Sequence, residues 1–418
     1  MANTVIMPDR NRMHGIDVLR AGAIVLVVLL HSAHGYIPNQ MPGLIWPVHD
    51  ARPSLLVDGL FWWIEGMIMP LFLWMSGWFS WDLLASLGPD GFLRHRVKRI
   101  LAPLAFASLC ILPANFYAWA FGLVLDGRSS WRKLRSLQFD PDIQNEIWGL
   151  SHLWYLEYVF LYCLIAYAAV HIGRRYATPV AWAVRSVGRR VAAAPAILLT
   201  MMFVPATGIL VVEPEVVIGF QHGFLPYPAK FLYSGLFFFG GLWMKAGGRQ
   251  TIDVLRGRAI ASLIVTVPLY LIMLTLTHRW FTSSGFAPID GLVYAAVTSL
   301  FAWFTVFGFV GLCLRIDRPP HAAVRYVAEA SFWIYLAHHP LVGLISSLLG
   351  PTTPAAGIKF VVVATVTLAV TLWTYHTFVR STWIGELLNG RRYQPIGRQS
   401  DRSDAHADDA HKEQRRAA

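Results

Sequence analysis

The sequence predicts an all-α polytopic membrane protein with about ten transmembrane helices. Of its 418 residues, 56% are hydrophobic and only 14% are charged, and the mean hydropathy is +0.48. Soluble domains carry roughly 25% charged residues, so this chain has too few charges to cover a water-exposed surface. Its 17 Trp and 25 Phe residues suit a protein whose aromatic side chains lie at lipid–water interfaces.

Ten stretches are apolar and long enough to cross a bilayer, which takes about 20 residues of helix. The first is too long for a cleavable signal peptide and already holds Asp17 and Arg20, so we expect it to remain as an anchor. The predicted spans are 16–36, 55–80, 100–122, 151–172, 193–212, 230–246, 259–277, 289–314, 331–349 and 358–380.

The distribution of Lys and Arg predicts that both termini are cytoplasmic. With that orientation the inner segments hold more than twice as many Lys and Arg residues as the outer ones, as the positive-inside rule requires. The net charge of +11 follows mainly from this bias, so no nucleic-acid partner is expected. We predict a cytoplasmic segment 1–15, a ten-helix membrane domain 16–380 in the inner membrane, and a disordered cytoplasmic tail 381–418.

The first span carries ionisable residues at both ends, although such residues are costly inside a bilayer and usually indicate function. Arg20 lies near the inner end, three residues after Asp17, and His31 lies about 16 Å away by helical rise. His34 follows on the same face as His31. Two other interpretations remain: Arg20 as an interfacial anchor and His31 as an interhelical hydrogen-bonding group.

The segment "FLRHRVKRILAPL" precedes the third span and contains Arg96 and Arg99 three residues apart. At that spacing both side chains face the same way on a helix. Because guanidinium groups bind phosphate through charge-assisted, often bidentate hydrogen bonds, the pair could hold an anion. A positive-inside loop explains the same residues without a ligand.

Among the other titratable residues within predicted spans, five are candidates for the site. Glu65 lies in the middle of the second span, His152 and Glu157 lie in the outer half of the fourth, and His338 and His339 lie in the ninth. Consecutive helix positions point about 100° apart, so only one of the last two should face a given cavity. No acidic metal-ligand motif accompanies the histidines, and no metal is expected.

In order and at these depths, the motifs resemble the integral-membrane acyltransferase-3 family over residues 12–380. The most specific are R-x10-H at Arg20 and His31, and R-x-x-R at Arg96 and Arg99. The segment "IMPLFLWMSGWF" looks closest to the branch named for glucan biosynthesis protein C, with Ile68 where an arginine is expected. Supporting segments are Ser76-Gly77, "HLWYL" at 152–156 and "WIYLAHHPL" at 333–341.

This resemblance implies a membrane-bound O-acyltransferase that moves an acetyl- or succinyl-type group from cytoplasmic acyl-CoA to a hydroxyl of an extracytoplasmic carbohydrate. His31 would act as the general base, and Glu157 or Glu65 would be the carboxylate that orients it. The residues that would bind the CoA phosphates are Arg20, Arg96 and Arg99. The residues expected to line the substrate channel are Asp17, His34, His152, His338 and His339.

Two other classes of function remain open from the residues alone. The first is a metal or proton-coupled transporter that uses buried histidines as ligands or relay groups, which bound zinc in the purified protein would reveal. The second is a non-catalytic membrane scaffold or sensor, which would not cleave thioesters. Within the enzyme hypothesis, direct transfer and a transient acyl-histidine are both chemically feasible.

Overall fold

Ten long helices make up most of the computed structural model, which describes residues 14–43, 45–175, 194–283 and 285–390. No strand occurs within these ranges. The helices are α1 His14–Ala33, α2 Leu55–Arg96, α3 Ala102–Leu125, α4 Trp154–Arg175, α5 Pro195–Val212, α6 Pro228–Ala246, α7 Arg249–Ser283, α8 Pro288–Cys313, α9 Ala322–Leu349 and α10 Ala356–Thr374.

Each predicted span falls on one of these helices. Within the described ranges, seven helical runs are long and apolar enough to cross a membrane, and one of them, Leu55–Leu125, covers two predicted spans. The all-helical, multi-pass class is therefore confirmed. The number of ten spans and the orientation of the chain stay predictions.

The connection expected between the second and third spans is helical rather than a loop. α2 continues to Arg96, and a π-helical turn, Val97–Leu101, joins it to α3. The chain changes direction inside α2 at Gly88, whose φ of 68° is one that glycine adopts without strain. π-Helical turns often occur at functional sites, and this one carries Arg99. The R-x-x-R motif is thus part of continuous helix.

Close approach between α2 and α6 brings the backbones of the two helices together. A Cβ atom at Gly77 would overlap the carbonyl oxygen of Phe238, and one at Gly241 would overlap that of Trp74. Small residues allow helices in membranes to pack this tightly. The helices α1, α2, α4, α6 and α9 surround a central cavity.

One face of α7 is apolar and exposed, as expected for a helix that faces lipid. Large apolar surfaces on a soluble protein would cause association, but they are normal where lipid covers them. The most exposed of these side chains are Ile260, Ile264, Val267 and Leu271, each more than half exposed.

The predicted tail begins with a helix rather than with disorder. Trp383–Asn389 is helical, and its Leu388 side chain is buried against the rest of the protein. The remainder of that segment, from residue 391, lies outside the described residues, as do residues 1–13 and residues 176–193, which include most of the predicted inner segment between the fourth and fifth spans.

Candidate functional site

A single cavity of about 350 Å³ runs alongside α1 and connects its two polar ends. Arg20 lines one end, His31 and His34 line the other, and apolar residues such as Ile24 and Val27 lie between them. This volume is within the range of small-molecule binding sites, which are mostly apolar with a few placed polar groups. The spacing seen in the sequence therefore places Arg20 and His31 on the wall of one cavity.

Arg96 and Arg99 line the same cavity as Arg20, and Arg20 and Arg96 both interact electrostatically with Tyr155, which places this arginine cluster at the first end. Arg20 Nη2 donates to Ser331 Oγ on α9 at 3.1 Å. Arg96 Nη2 donates to Ser80 Oγ at 2.9 Å, one turn after the Ser76-Gly77 segment. Arg96 Nε is buried and has no partner among the residues that the structure describes. The cluster, called here the arginine end, is suited to an anion.

Arg99 also has a structural contact that the sequence did not predict. Its Nη1 donates to the carbonyl oxygens of Glu386 and Leu387 at 2.8 and 3.0 Å. These carbonyls belong to the last turn of the helix Trp383–Asn389, where a cation interacts favourably with the negative end of the helix dipole, and the Glu386 carbonyl also accepts from the Gly390 amide. A Cβ atom at Gly390 would overlap this guanidinium. Arg99 therefore links the cavity to the C-terminal helix.

Five buried histidines form the opposite end, called here the histidine end: His31, His34, His152, His338 and His339. The His31 ring centroid lies 5.0 Å from that of His338 and 4.7 Å from that of His339. We expected only one of these two to face the cavity; instead both contact the His31 ring, and neither is among the residues that line the cavity. His152 lies 5.2 and 4.7 Å from the same two rings.

Hydrogen bonds orient the rings of the two histidines on α9. His338 Nδ1 lies 2.8 Å from the carbonyl oxygen of Tyr335, which only accepts, so this nitrogen carries the proton. His339 Nδ1 lies 2.8 Å from Asn115 Oδ1 and 3.3 Å from Ser151 Oγ, and with the amide oriented so that its Nδ2 donates to Ser151 Oγ, Nδ1 is assigned as the donor to Asn115. The Nε2 atoms of both rings are buried and have no partner within the described ranges.

His152 is oriented in the same manner by α9. Its Nε2 donates to the carbonyl oxygen of Leu336 at 3.1 Å, and Tyr335 donates its hydroxyl to the His152 carbonyl oxygen at 2.6 Å. His152 Nδ1 and His31 Nδ1 are buried without a partner in the part of the chain described. The histidine end therefore offers several unpaired ring nitrogens that can accept a proton.

The expected carboxylate partner of His31 is not in contact with it. Glu65 lines the cavity, but it interacts with Lys230 rather than with His31. Glu157 and Asp17 do not contribute to the cavity lining. In the described structure, the polar neighbours of His31 are imidazoles, and no carboxylate hydrogen-bonds to it.

The predicted channel residues divide into two groups. His34 and His152 line the cavity as expected, whereas His338 and His339 lie behind His31 and contact its ring from α9. Asp17 is buried in the first turn of α1, outside the cavity lining. The histidines on α9 are therefore placed to act through His31 rather than on a ligand.

The connection between α1 and α2, residues 37–54, covers the histidine end and is called here the strap. Trp46 of the strap stacks on His34 with 4.7 Å between ring centroids. The same indole meets Trp119 edge to face, and Trp119 stacks on His339 at 4.4 Å. The strap and α3 together shield the histidines from bulk water.

Ionic contacts hold the strap in place. Lys359 Nζ lies 2.8 Å from Asp50 Oδ2, and Arg128 Nη2 donates to the carbonyl oxygen of Trp46. Burial disfavours the charged form of Asp50, but hydrogen bonds from Lys359 and Arg52 outweigh it and lower the pKa of this carboxyl. The strap is thus anchored to α10 and to the segment after α3.

Several residues of the site were missed by the sequence analysis. Asn115 and Lys230 are polar groups within predicted spans, and the rule applied to the histidines could have found them. The aromatic residues of the site could not be recognised from the sequence, because Trp46 and Trp119 are two among 17 tryptophans. Tyr233 likewise stands in an ordinary apolar span.

No group of three or more His, Cys, Asp or Glu residues in the described part of the chain is arranged to hold a metal ion. The hypothesis of a histidine metal site thus finds no ligand set among these residues.

Comparison with known proteins gives a family and a set of relatives. A family model of the acyltransferase-3 type, described as "Acyltransferase domain", matches residues 13–375. Glucans biosynthesis protein C of Salmonella typhimurium is 24% identical over 414 residues, which cover 93% of this chain and 97% of the relative. Its namesake in an Escherichia coli strain is 22% identical over 404 residues, covering 94% and 98%. No solved structure matches the chain.

Proposed function

Because the chain belongs to the acyltransferase-3 family, we propose that it transfers an acyl group from cytoplasmic acyl-CoA to a hydroxyl of an extracytoplasmic glycan. Membrane acyl transfer follows from the family, whereas the donor, the acceptor and the sides from which they come are our proposal. The observation that supports it is the single cavity with three arginines at one end and His31 at the other.

The arginine end suits the nucleotide of the donor. CoA carries several phosphates, and guanidinium groups bind phosphate with two parallel hydrogen bonds. The thin pantetheine arm would then follow the apolar wall beside Ile24 and Val27, over about 16 Å of helical rise, to His31. An apolar, water-poor passage protects the thioester from hydrolysis.

At the histidine end His31 would serve as general base. The acceptor oxygen attacks the thioester carbonyl carbon, its proton passes to His31, and a new C–O bond forms. The C–S bond breaks, and the CoA thiolate takes up a proton to leave as free thiol. The unpaired nitrogens of His338 and His339 beside the His31 ring support this role, because they can share or relay that proton.

The acceptor class is suggested by the relatives, which are named for glucans biosynthesis. We take the acceptor to be a glucan and the acyl group to be of the acetyl or succinyl type. We place the protein in the inner membrane, with the orientation that the Lys and Arg distribution predicts. The histidine end then faces away from the cytoplasm. Donor and acceptor would then come from opposite sides.

Replacement of His31 tests the proposal. We expect His31→Ala to reduce transfer at least about 100-fold, the usual contribution of a general base, while membrane insertion and thermal stability stay nearly unchanged. The measurement is release of free CoA thiol together with the mass of the acylated glucan. His49→Ala, an exposed strap histidine outside the cavity lining, is the matched control and should keep normal activity. Normal transfer by a well-folded His31→Ala protein would contradict the assignment.

A further inference from the structure

The cavity contains a third polar group, apart from the arginine and histidine ends. Lys230, near the start of α6, is only 6% exposed and lines the cavity. Its Nζ donates to the carbonyl oxygen of Gln221 at 2.9 Å and lies 3.9 Å from the ring centroid of Trp154. An ammonium group has three N–H donors. This contact with Gln221 uses one of them, and the side chain is held rigidly at the cavity wall.

Glu65 of α2 stands near this ammonium group in the same cavity. The two side chains interact electrostatically, so together they carry no net charge when both are ionised. The Glu65 carboxylate accepts no hydrogen bond from any residue in the described ranges. A neutral pair of this kind does not attract phosphate, in contrast to the arginine end. It presents a strong acceptor beside a strong donor.

Tyr233 adds an unsatisfied hydroxyl to the same place. It follows Lys230 by three residues, so the two share a face of α6, and both line the cavity. The Tyr233 side chain is 4% exposed, and its hydroxyl is buried without a hydrogen-bond partner in the described structure. Buried hydroxyl groups nearly always have a partner. A ligand in the cavity would supply one.

Glu65, Lys230 and Tyr233 lie on the same side of the cavity as the histidine end. Trp154, which Lys230 contacts, lies two residues after His152 of the histidine end. The connection that leads into α6 is tied to the strap, since the Phe220 amide donates to the carbonyl oxygen of Pro42 at 2.8 Å. A molecule that arrives from the strap side would meet His31 and this group together.

We propose that Glu65, Lys230 and Tyr233 form a subsite that binds a sugar ring of the acceptor glucan. Sugar hydroxyls donate and accept hydrogen bonds and carry no charge, which matches a carboxylate, an ammonium group and a phenol with no net charge. The subsite directs a neighbouring hydroxyl of the glucan towards His31. This inference rests on the proposed function.

The test is a pair of tryptophan-fluorescence titrations of the full-length protein in detergent, one with a soluble glucose oligosaccharide and one with CoA. Tyr233→Phe removes only the hydroxyl, so we expect oligosaccharide affinity to fall about fivefold, the effect of one hydrogen bond, with CoA affinity unchanged. Lys230→Met should weaken oligosaccharide binding further. Tyr117→Phe, at an exposed tyrosine of α3, is the matched control.

The outcomes separate this inference from the proposed function. The subsite would be overturned if the unaltered protein failed to bind the oligosaccharide. It would also be overturned if Tyr233→Phe and Lys230→Met both bound the oligosaccharide as tightly as the unaltered protein does. A loss of CoA affinity in Tyr233→Phe would assign the group to the donor and also overturn it. Failure of CoA to bind the unaltered protein would instead refute the proposed function.

Discussion

The Asn115 amide orients the His339 ring. Its Oδ1 accepts from His339 Nδ1, so His339 Nε2 stays unprotonated in the neutral ring. The His339 ring lies 4.7 Å from that of His31, so the Asn115 amide affects the proposed base only through His339. Asn115 is thus a positioning residue for the histidine end.

We predict that Asn115→Leu lowers kcat for acyl transfer about tenfold, because the His339 ring loses the acceptor that holds its orientation. The variant should also be less stable by about 1–3 kcal/mol, since the buried hydrogen bonds of the amide to His339 and to Ser151 are lost. Steady-state kinetics and thermal unfolding measure the two effects, with CoA affinity expected to stay the same. An unchanged kcat would show that the His339 tautomer does not matter.

At the level of elements, the two arginines of the R-x-x-R motif differ in their contacts. Arg96 donates to Ser80 inside α2, whereas Arg99 donates to the last carbonyls of the helix Trp383–Asn389. A phosphate would compete with those carbonyls for the Arg99 guanidinium. The two residues should therefore respond differently to the same substitution.

Arg96→Ala and Arg99→Ala are both predicted to weaken CoA binding about tenfold or more, because each removes a charge-assisted contact to phosphate. Arg99→Ala alone should also make the chain near the helix Trp383–Asn389 more sensitive to proteolysis. Lysine at either position should restore only part of the CoA affinity, since it lacks the planar fork. The affinity is measured by CoA titration. Unchanged CoA affinity in both alanine variants would show that these residues do not bind CoA and that the positive-inside rule alone accounts for them.

The positions of the helices were predictable because the bilayer thickness sets the length of an apolar stretch. The ends of the helices were less predictable. α7 begins at Arg249, ten residues before the predicted span, because helices extend into polar sequence beyond the apolar core. The connection before α3 was missed because a glycine in a left-handed conformation and a π-helical turn leave no loop signature.

The candidate site was predictable only within single helices. Helical rise places Arg20 and His31 on opposite ends of α1, and the cavity joins them. The contact of Asn115 with His339 and that of Glu65 with Lys230 join helices far apart in the chain. Periodicity indicates which face of a helix is polar, but it does not indicate which other helix that face meets. For this reason the sequence could not indicate that Glu65, one of the two carboxylates expected beside His31, interacts with Lys230.

At the scale of the whole molecule, the cavity has chemically different ends. The arginine end lies beside the C-terminal helix Trp383–Asn389, through the contact of Arg99. The histidine end lies under the strap, which Asp50 and Lys359 hold in place. An anionic donor and a glycan acceptor would therefore approach from different faces. The central claim is that one cavity carries an acyl group between them.

Oriented vesicles that hold the full-length protein in one direction test this claim most directly. Acyl-CoA and a glucose oligosaccharide are supplied separately inside or outside, and acylated oligosaccharide is measured by mass spectrometry. We predict product only when acyl-CoA is on the face that bears the helix Trp383–Asn389 and the oligosaccharide is on the opposite face. Equal product with both substrates on the same face would contradict the account.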